Sequence, residues 1–417
     1  MGLKRVVITG LGTINPLGNN ISEYFANLDS GVSGSCLIDR FDTTNFKTKF
    51  ACQVKDFNPT DYGISSKEIR RLDRFVQYAL VASSEAIIDS KLNFDSENLK
   101  RIGVILGSGI GGIESLFHEI MDYSEGGNIP RFSPFLITKM IANVAPGYIS
   151  MKYKLMGPNY TVTSACASSG HAITDAFEAI RYGKADVMLT GGTEAPICPP
   201  GIGSFVSAKA MSSNNENYKK ASRPFDKNRD GFVMGEGSGI LILEELDHAL
   251  ARGAKIYAEI LGTGSTADAF HITAPHPDGE GAMSAITLAL EDAHISGNDV
   301  DYINLHGTST PKGDIAELKA IKSIFKDHAY ELNLSSTKSM TGHLLGAAGA
   351  IEAQACIHAI NSGIIPPTIN FETEDPEIDY KMNLTLNKAQ RRPVKIALNN
   401  AFGFGGHNSC VIFGAYK

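Results

Sequence analysis

Cys166 stands in the segment Tyr160-Thr-Val-Thr-Ser-Ala-Cys-Ala-Ser-Ser-Gly-His-Ala-Ile, where a β-branched run leads up to a thiol and small residues follow it. Residues 160–163 read as a buried strand, and 167–182 as a helix with Ile173, Phe177 and Ile180 on one face. A thiol at that corner faces free helix N–H groups, whose partial positive charge predicts a pKa below the free value of about 8.5. Ala165, Ala167, Ser168 and Gly170 leave the sulfur uncrowded, which suits a covalent nucleophile; a small buried hydrophobe is the alternative.

Three other segments repeat the design of a strand that ends in polar or small residues. Residues 300–305 lead to His306 and then Gly307-Thr-Ser-Thr-Pro-Lys-Gly-Asp314. Residues 332–337 lead to Lys338, Ser-Met-Thr-Gly and His343, at the mouth of an Ala/Gly-rich helix. Residues 396–400 lead into Ala401-Phe-Gly-Phe-Gly-Gly-His-Asn408. In open α/β sheets ligands sit beyond the carboxyl ends of strands, so these ends predict one site holding Cys166, His306, Lys338 and His343. Glu352 lies on an otherwise small and apolar helical stripe, where an unpaired carboxylate is costly, and Lys338 is its expected partner.

Positioning these groups requires alternating strands and helices, hence an α/β fold. Strands are predicted at 4–9, 102–106, 161–165, 186–190, 239–245, 256–264, 301–305, 332–335, 395–398 and 409–413, with helices at 67–89, 110–122, 136–153, 168–182, 281–294, 314–326 and 344–361. The polar stretch 214–229 reads as a surface excursion. Ala258-Glu-Ile-Leu-Gly-Thr-Gly echoes Val6-Val-Ile-Thr-Gly-Leu-Gly, which suggests two related halves joined near Arg252-Gly253, namely 1–252 and 253–417.

The net charge of −7 argues against nucleic acid as a partner. Lys67, Arg70, Arg71 and Arg74 nevertheless recur at helical spacing, as a solvated face or as a docking patch for an acidic partner. No apolar run reaches membrane-spanning length and no leader precedes the first strand, so a cytoplasmic protein, or a mature form without its leader, is expected. Six cysteines without paired spacing read as reduced thiols. The spacing 166, 306, 343 is too scattered for a short metal motif, and neither metal nor cofactor is expected.

Taken together, Ser164-Ala-Cys-Ala-Ser-Ser, Arg223-Pro-Phe-Asp-Lys-Asn-Arg-Asp-Gly-Phe232 with Gly235-Glu-Gly237, His306-Gly-Thr-Ser-Thr-Pro, Lys338-Ser-Met-Thr-Gly-His343 and Gly403-Phe-Gly-Gly406 carry a resemblance over the whole chain. The chain resembles the β-ketoacyl-acyl carrier protein synthases, the elongating condensing enzymes of fatty acid synthesis, and within them the synthase II branch. The resemblance implies a thiolase-like fold, two duplicated βαβαβαββ halves in a five-layered αβαβα arrangement, paired as a homodimer. It implies Cys166, His306 and His343 as the catalytic set, with Lys338 and Glu352 beside them. The backbone N–H groups of Cys166 and Phe404 would form the oxyanion hole, with Phe404 as a glycine-hinged gate. Ile110, Thr273, Thr308, Thr310 and Phe404 would contact the substrate, with Ile110 at the acyl-pocket floor. Lys67, Arg70, Arg71, Arg131 and Lys209 would dock an acyl carrier protein bearing acyl- or malonyl-phosphopantetheine. A synthase I-type enzyme and a polyketide ketosynthase stay open as alternatives, as does a Cys/His thioester hydrolase from another class.

Overall fold

Ten of the apolar runs become ten strands of one sheet in a computed structural model that describes residues 2–416. The first five are β1 (Val6–Ile14), β2 (Ile102–Gly107), β3 (Asn159–Val162), β4 (Val187–Glu194) and β5 (Gly237–Glu245). The second five are β6 (Ala258–Ala267), β7 (Tyr302–Asn304), β8 (Asn333–Ser335), β9 (Ile396–Gly403) and β10 (His407–Gly414). Their order across the sheet is β8-β7-β9-β10-β6-β1-β5-β4-β2-β3. Each half therefore has its own strands in the order third, second, fourth, fifth, first. In the first half β2 runs parallel to β3 and β4, while β5 is antiparallel to β4 and β1. The second half repeats this with β7 parallel to β8 and β9, and β10 antiparallel to β9 and β6. The halves meet where β1 and β6 pair antiparallel, Val6 opposite Ile260, and the sequence echo falls on these two strands.

Five layers follow from where the helices bury their apolar faces. Helix α1 (Arg74–Ser90) covers β1 and β5 from outside. Helix α2 (Ser168–Arg181) lies in the middle against β2 and β4. Helices α3 (Glu280–Asp292) and α4 (Pro311–Phe325) cover the outer face of the second half. Helix α5 (Ala348–Ser362) joins α2 in the middle, packed on β9 and β5. Residues 348–357 of α5 are all buried, so the expected single stripe is in fact a helix enclosed on every side.

Several boundaries differ from expectation, each for a local reason. The predicted helix 67–89 is two, Ser66–Ile69 and Arg74–Ser90, because Asp73 caps the second by accepting from Phe75 N. Lys67, Arg70, Arg71 and Arg74 therefore do not share one helix face, and Arg74 instead pairs with Glu114 at 3.3 Å. The helix expected at 110–122 starts only at Ile113, after Gly111 with φ +72°, and the one at 136–153 divides into Leu136–Met140 and Val144–Tyr153. Strand β3 is not buried: it is the last strand of the sheet, and Asn159 and Tyr160 are exposed. The stretch 214–229 is not a simple surface excursion. Residues 221–226 are buried, and Arg229 pairs with Asp375 at 2.7 Å and Asp314 at 3.4 Å.

Helix α2 passes so close to β10 that a Cβ on Gly170 would lie 2.5 Å from Ser409 Oγ and 3.0 Å from its Cβ. Gly170→Ala should therefore lower stability by about 1–3 kcal/mol through overpacking, read by denaturant melts. Adding S409A, which removes the nearer clash, should recover part of that loss; no recovery would place the strain elsewhere.

Candidate active site

The chain turns sharply between β3 and α2, and Ala165 holds a left-handed φ of +51° so that Cys166 can leave the strand. Such a conformation costs a non-glycine residue roughly 1–2 kcal/mol. The turn is tied by Ser168, whose hydroxyl accepts from Ser164 N at 2.9 Å and donates to Ala165 O at 2.6 Å. Gly403 packs against it from β9: a Cβ there would lie 2.7 Å from Ser164 O and 3.0 Å from Cys166 N. That contact brings the Phe404 backbone N–H onto the Cys166 sulfur.

His343 reaches the same sulfur from the second half, with Nε2 3.0 Å from Cys166 Sγ. Its backbone is clamped to the neighbouring loop through His343 N to Val233 O at 2.7 Å and Gly235 N to His343 O at 2.9 Å. His306 stands edge-on to it, ring centroids 5.4 Å apart at 88°. The His306 loop hangs on one buried carboxylate, since Glu317 of α4 accepts from His306 N and Gly307 N, each at 2.8 Å. Asn400 Nδ2 donates to that carboxylate at 3.2 Å. Further along, Asp314 accepts from Thr310 N at 3.3 Å and Phe225 N at 3.0 Å. The buried segment 221–226 thus braces the loop bearing Thr308 and Thr310, whose hydroxyls lie 3.1 Å apart.

Lys338 and Glu352 lie behind the histidines, fully buried, with Nζ 2.5 Å from Oε1. Burial drives both imidazoles well below the usual histidine pKa, and the Lys338 ammonium pushes them further the same way. Both rings are neutral at physiological pH. Burial likewise pushes the Cys166 thiol up, to about 12, against the downward pull of Lys338 and of the Phe404 N–H. This corrects the expected fall in its pKa: desolvation outweighs the donors at the helix mouth, so the resting sulfur is a thiol beside a neutral acceptor. Glu317 is also raised by burial, to about 7, despite its amide donors.

A cavity of about 490 Å³ opens above the sulfur. Cys166, His306, His343, Thr273, Thr308, Thr310, Phe404 and Lys209 line it, together with apolar Phe205, Phe232 and Leu345. Ile110 instead joins Cys166, Phe205, Phe232 and Leu345 in a side-chain cluster beside the sulfur. Lys67, Arg70, Arg71 and Arg131 are exposed and outside the cavity, and Arg71 lies 4.8 Å from the Phe135 ring centroid. Two buried acids were missed from sequence. One is Glu317. The other is Glu194, which accepts from Gly109 N at 2.7 Å, Ile110 N at 3.1 Å and Gly346 N at 3.0 Å. The signal that singled out Glu352, an acid in an apolar helical stripe, was missing at Glu317, whose helix also carries Asp314, Lys319 and Lys322.

Replacing the whole ion pair by K338M/E352L avoids leaving one buried charge unpaired. Because the Lys338 effect on the sulfur exceeds that of Glu352, the thiol pKa should rise further, and iodoacetamide should alkylate Cys166 several-fold more slowly at pH 8. Alkylation as fast as in the parent, followed by mass spectrometry, would contradict this electrostatic assignment.

Residues 3–249 match the model of the β-ketoacyl synthase N-terminal domain, and residues 257–372 that of the β-ketoacyl synthase C-terminal domain. The chain is 49% identical over 414 residues to a protein of Synechocystis sp. named 3-oxoacyl-[acyl-carrier-protein] synthase 2, covering 99% of each. It is 46% identical over 417 residues, again 99% of each, to the Staphylococcus aureus strain COL protein of that name. Among solved structures, a β-ketoacyl synthase from Burkholderia phymatum superposes with a TM-score of 0.91 at 34% identity, covering 99% of this chain and 100% of that one. A type II polyketide ketosynthase, solved in complex with its acyl-carrier protein, gives 0.91 at 35% identity, with 100% of both chains covered. The chain belongs to the β-ketoacyl synthase family, with the thiolase-like fold.

Proposed function

We propose that the protein catalyses the decarboxylating condensation of malonyl-acyl carrier protein with an acyl chain held on Cys166, giving a 3-oxoacyl-acyl carrier protein in fatty acid elongation. The observation that carries this reading is the 3.0 Å contact between Cys166 Sγ and His343 Nε2, with His306 edge-on beside it in one cavity. The 46–49% identical relatives named 3-oxoacyl-[acyl-carrier-protein] synthase 2 support the fatty acid assignment.

In the first step Sγ attacks the thioester carbonyl of an acyl carrier, and His343 Nε2 takes the thiol proton and returns it to the departing carrier thiol. The N–H groups of Cys166 and Phe404 receive the developing oxyanion. A malonyl thioester then loses CO2, and the enolate oxygen accepts from ring N–H groups of neutral His306 and His343, after His343 has shifted its single ring proton from Nδ1 to the site-facing Nε2. Two such donors in a desolvated site stabilise the enolate by several kcal/mol, on the order of what oxyanion-hole donors supply. The enolate carbon attacks the acyl-enzyme carbonyl, the S–C bond breaks, and the Cys166 thiolate regains a proton from solvent. Lys338, held by Glu352, adds to the burial that keeps both imidazoles neutral, and would orient them. Thr273, Thr308 and Thr310 would contact the substrate's pantetheine arm, Ile110 would floor the acyl pocket, and exposed Phe404 would gate malonyl entry.

Lys67, Arg70, Arg71, Arg131 and Lys209, all exposed, suit docking of an acidic carrier protein, and one related ketosynthase has been solved with its carrier. The exposed edge strand β3 suits pairing with a second copy of the chain, so we assign a homodimer, with functional halves at 1–252 and 253–417. All six cysteines are free, in keeping with a cytoplasmic location, and no helix among the described residues is long and apolar enough to cross a membrane.

Cys166→Gln should abolish condensation while malonyl decarboxylation persists; release of free acid from acyl thioesters without malonyl consumption would instead indicate a hydrolase. His343→Ala should lose decarboxylation at least about 100-fold while Cys166 still accepts acyl groups, seen as a mass increment on the protein. R70E/R71E should raise KM for carrier-bound acyl groups several-fold with kcat little changed, and an unchanged KM would return that face to ordinary solvated charge.

A further inference from the structure

Two further charges line the same cavity: Lys312, which has been given no role so far, and Lys209, proposed above for carrier docking. Lys312, in the first turn of α4, and Lys209, just past helix Pro199–Ser207, are the only lysines or arginines lining the cavity, and both are exposed. They come from opposite halves of the chain. Lys319 and Lys322, also on α4, pair with Asp278 at 3.7 Å and Asp379 at 2.7 Å, whereas Lys312 has no carboxylate partner among the described residues. The acids lining the cavity are already engaged: Glu317 by the His306 and Gly307 amides, Asp268 by Asn408 at 2.7 Å.

The loop explains what the two ammonium groups face. His306, Thr308, Thr310 and Lys312 all line the cavity, running from the half-buried histidine near the sulfur to the exposed lysine at the start of α4. Six residues span at most about 20 Å. A linear thioester laid along that wall, with its acyl carbon at Cys166, passes its amides over the two threonine hydroxyls. Any anion at its far end then meets Lys312. We infer that Lys312, with Lys209 also on the cavity lining, binds the phosphate group of the phosphopantetheine arm and so measures the distance from phosphate to thioester. The inference rests on the carrier-thioester reading above and adds to it a phosphate subsite and the residue that forms it.

The test compares two donors carrying the same acyl chain, acyl-phosphopantetheine and acyl-pantetheine, by kcat/KM for acylation of Cys166 followed by mass spectrometry. The parent protein should prefer the phosphorylated donor by about tenfold, the scale of one charge-assisted contact. K312A should bring the ratio to within about twofold of one, K312E should bring it below one, and K312R should retain most of the preference. Acylation in the parent with no preference for phosphate, or a K312A ratio equal to the parent's, overturns this inference alone. Absence of acylation by either donor in the parent overturns the acyl-transfer reading and the phosphate subsite with it.

Discussion

The site depends on how closely the two central helices approach. Ala350 N donates to Ser169 Oγ at 3.0 Å, and a Cβ on Gly349 would lie 3.2 Å from Gly170 N. Helices that meet backbone to backbone leave no room for slippage. Each is entered from the third strand of its own half, so the crossing carries the end of one strand, with Cys166, to the end of the other, with His343. The 3.0 Å sulfur–imidazole contact is thus a consequence of internal duplication: equivalent corners of two related halves face one another.

Burial then sets the chemistry. A solvated cysteine and two solvated histidines would sit near neutrality, partly ionised and interchangeable. Enclosed together around one ammonium, the imidazoles are held neutral and the thiol is held protonated. Neutral imidazoles can accept the thiol proton in one half-reaction and donate to an enolate in the other, which imidazolium ions cannot. Lys338 stays tolerable in this setting because Glu352 compensates it at 2.5 Å.

Part of the backbone strain lies beside the site. Ala165, Ser309 and Leu345 all have left-handed φ values without being glycine, and each lies within three residues of a proposed catalytic group. The surrounding structure holds them there: Ser168 ties the Ala165 turn, and the Ser309 hydroxyl accepts from Arg223 N at 3.0 Å. Turns kept in unfavourable conformations by fixed partners present their side chains at one orientation, which suits preorganised donors.

Local patterns in the chain were enough to read the ten strands of the sheet, the α/β alternation and the chemistry-bearing strand ends, because hydrophobic periodicity and glycine-flanked corners are local signals. The sequence also isolated Glu352, because a carboxylate in an apolar stripe is anomalous wherever the helix is placed. It could not decide the direction of the Cys166 pKa shift, since the helix-mouth donors are local while the burial that outweighs them comes from chain segments far away. Nor could it show that Asp73 would divide 67–89 into two helices, that β3 would be the exposed edge, or that 221–226 would be buried as the brace of the Thr308 loop. Each of those depends on partners distant in sequence, such as Ser115, whose N–H donates to Asp73, or Asp314, which accepts from Phe225 N. Tertiary structure alone decided which acids became anchors, because a carboxylate's role follows from the amide groups that packing brings within reach.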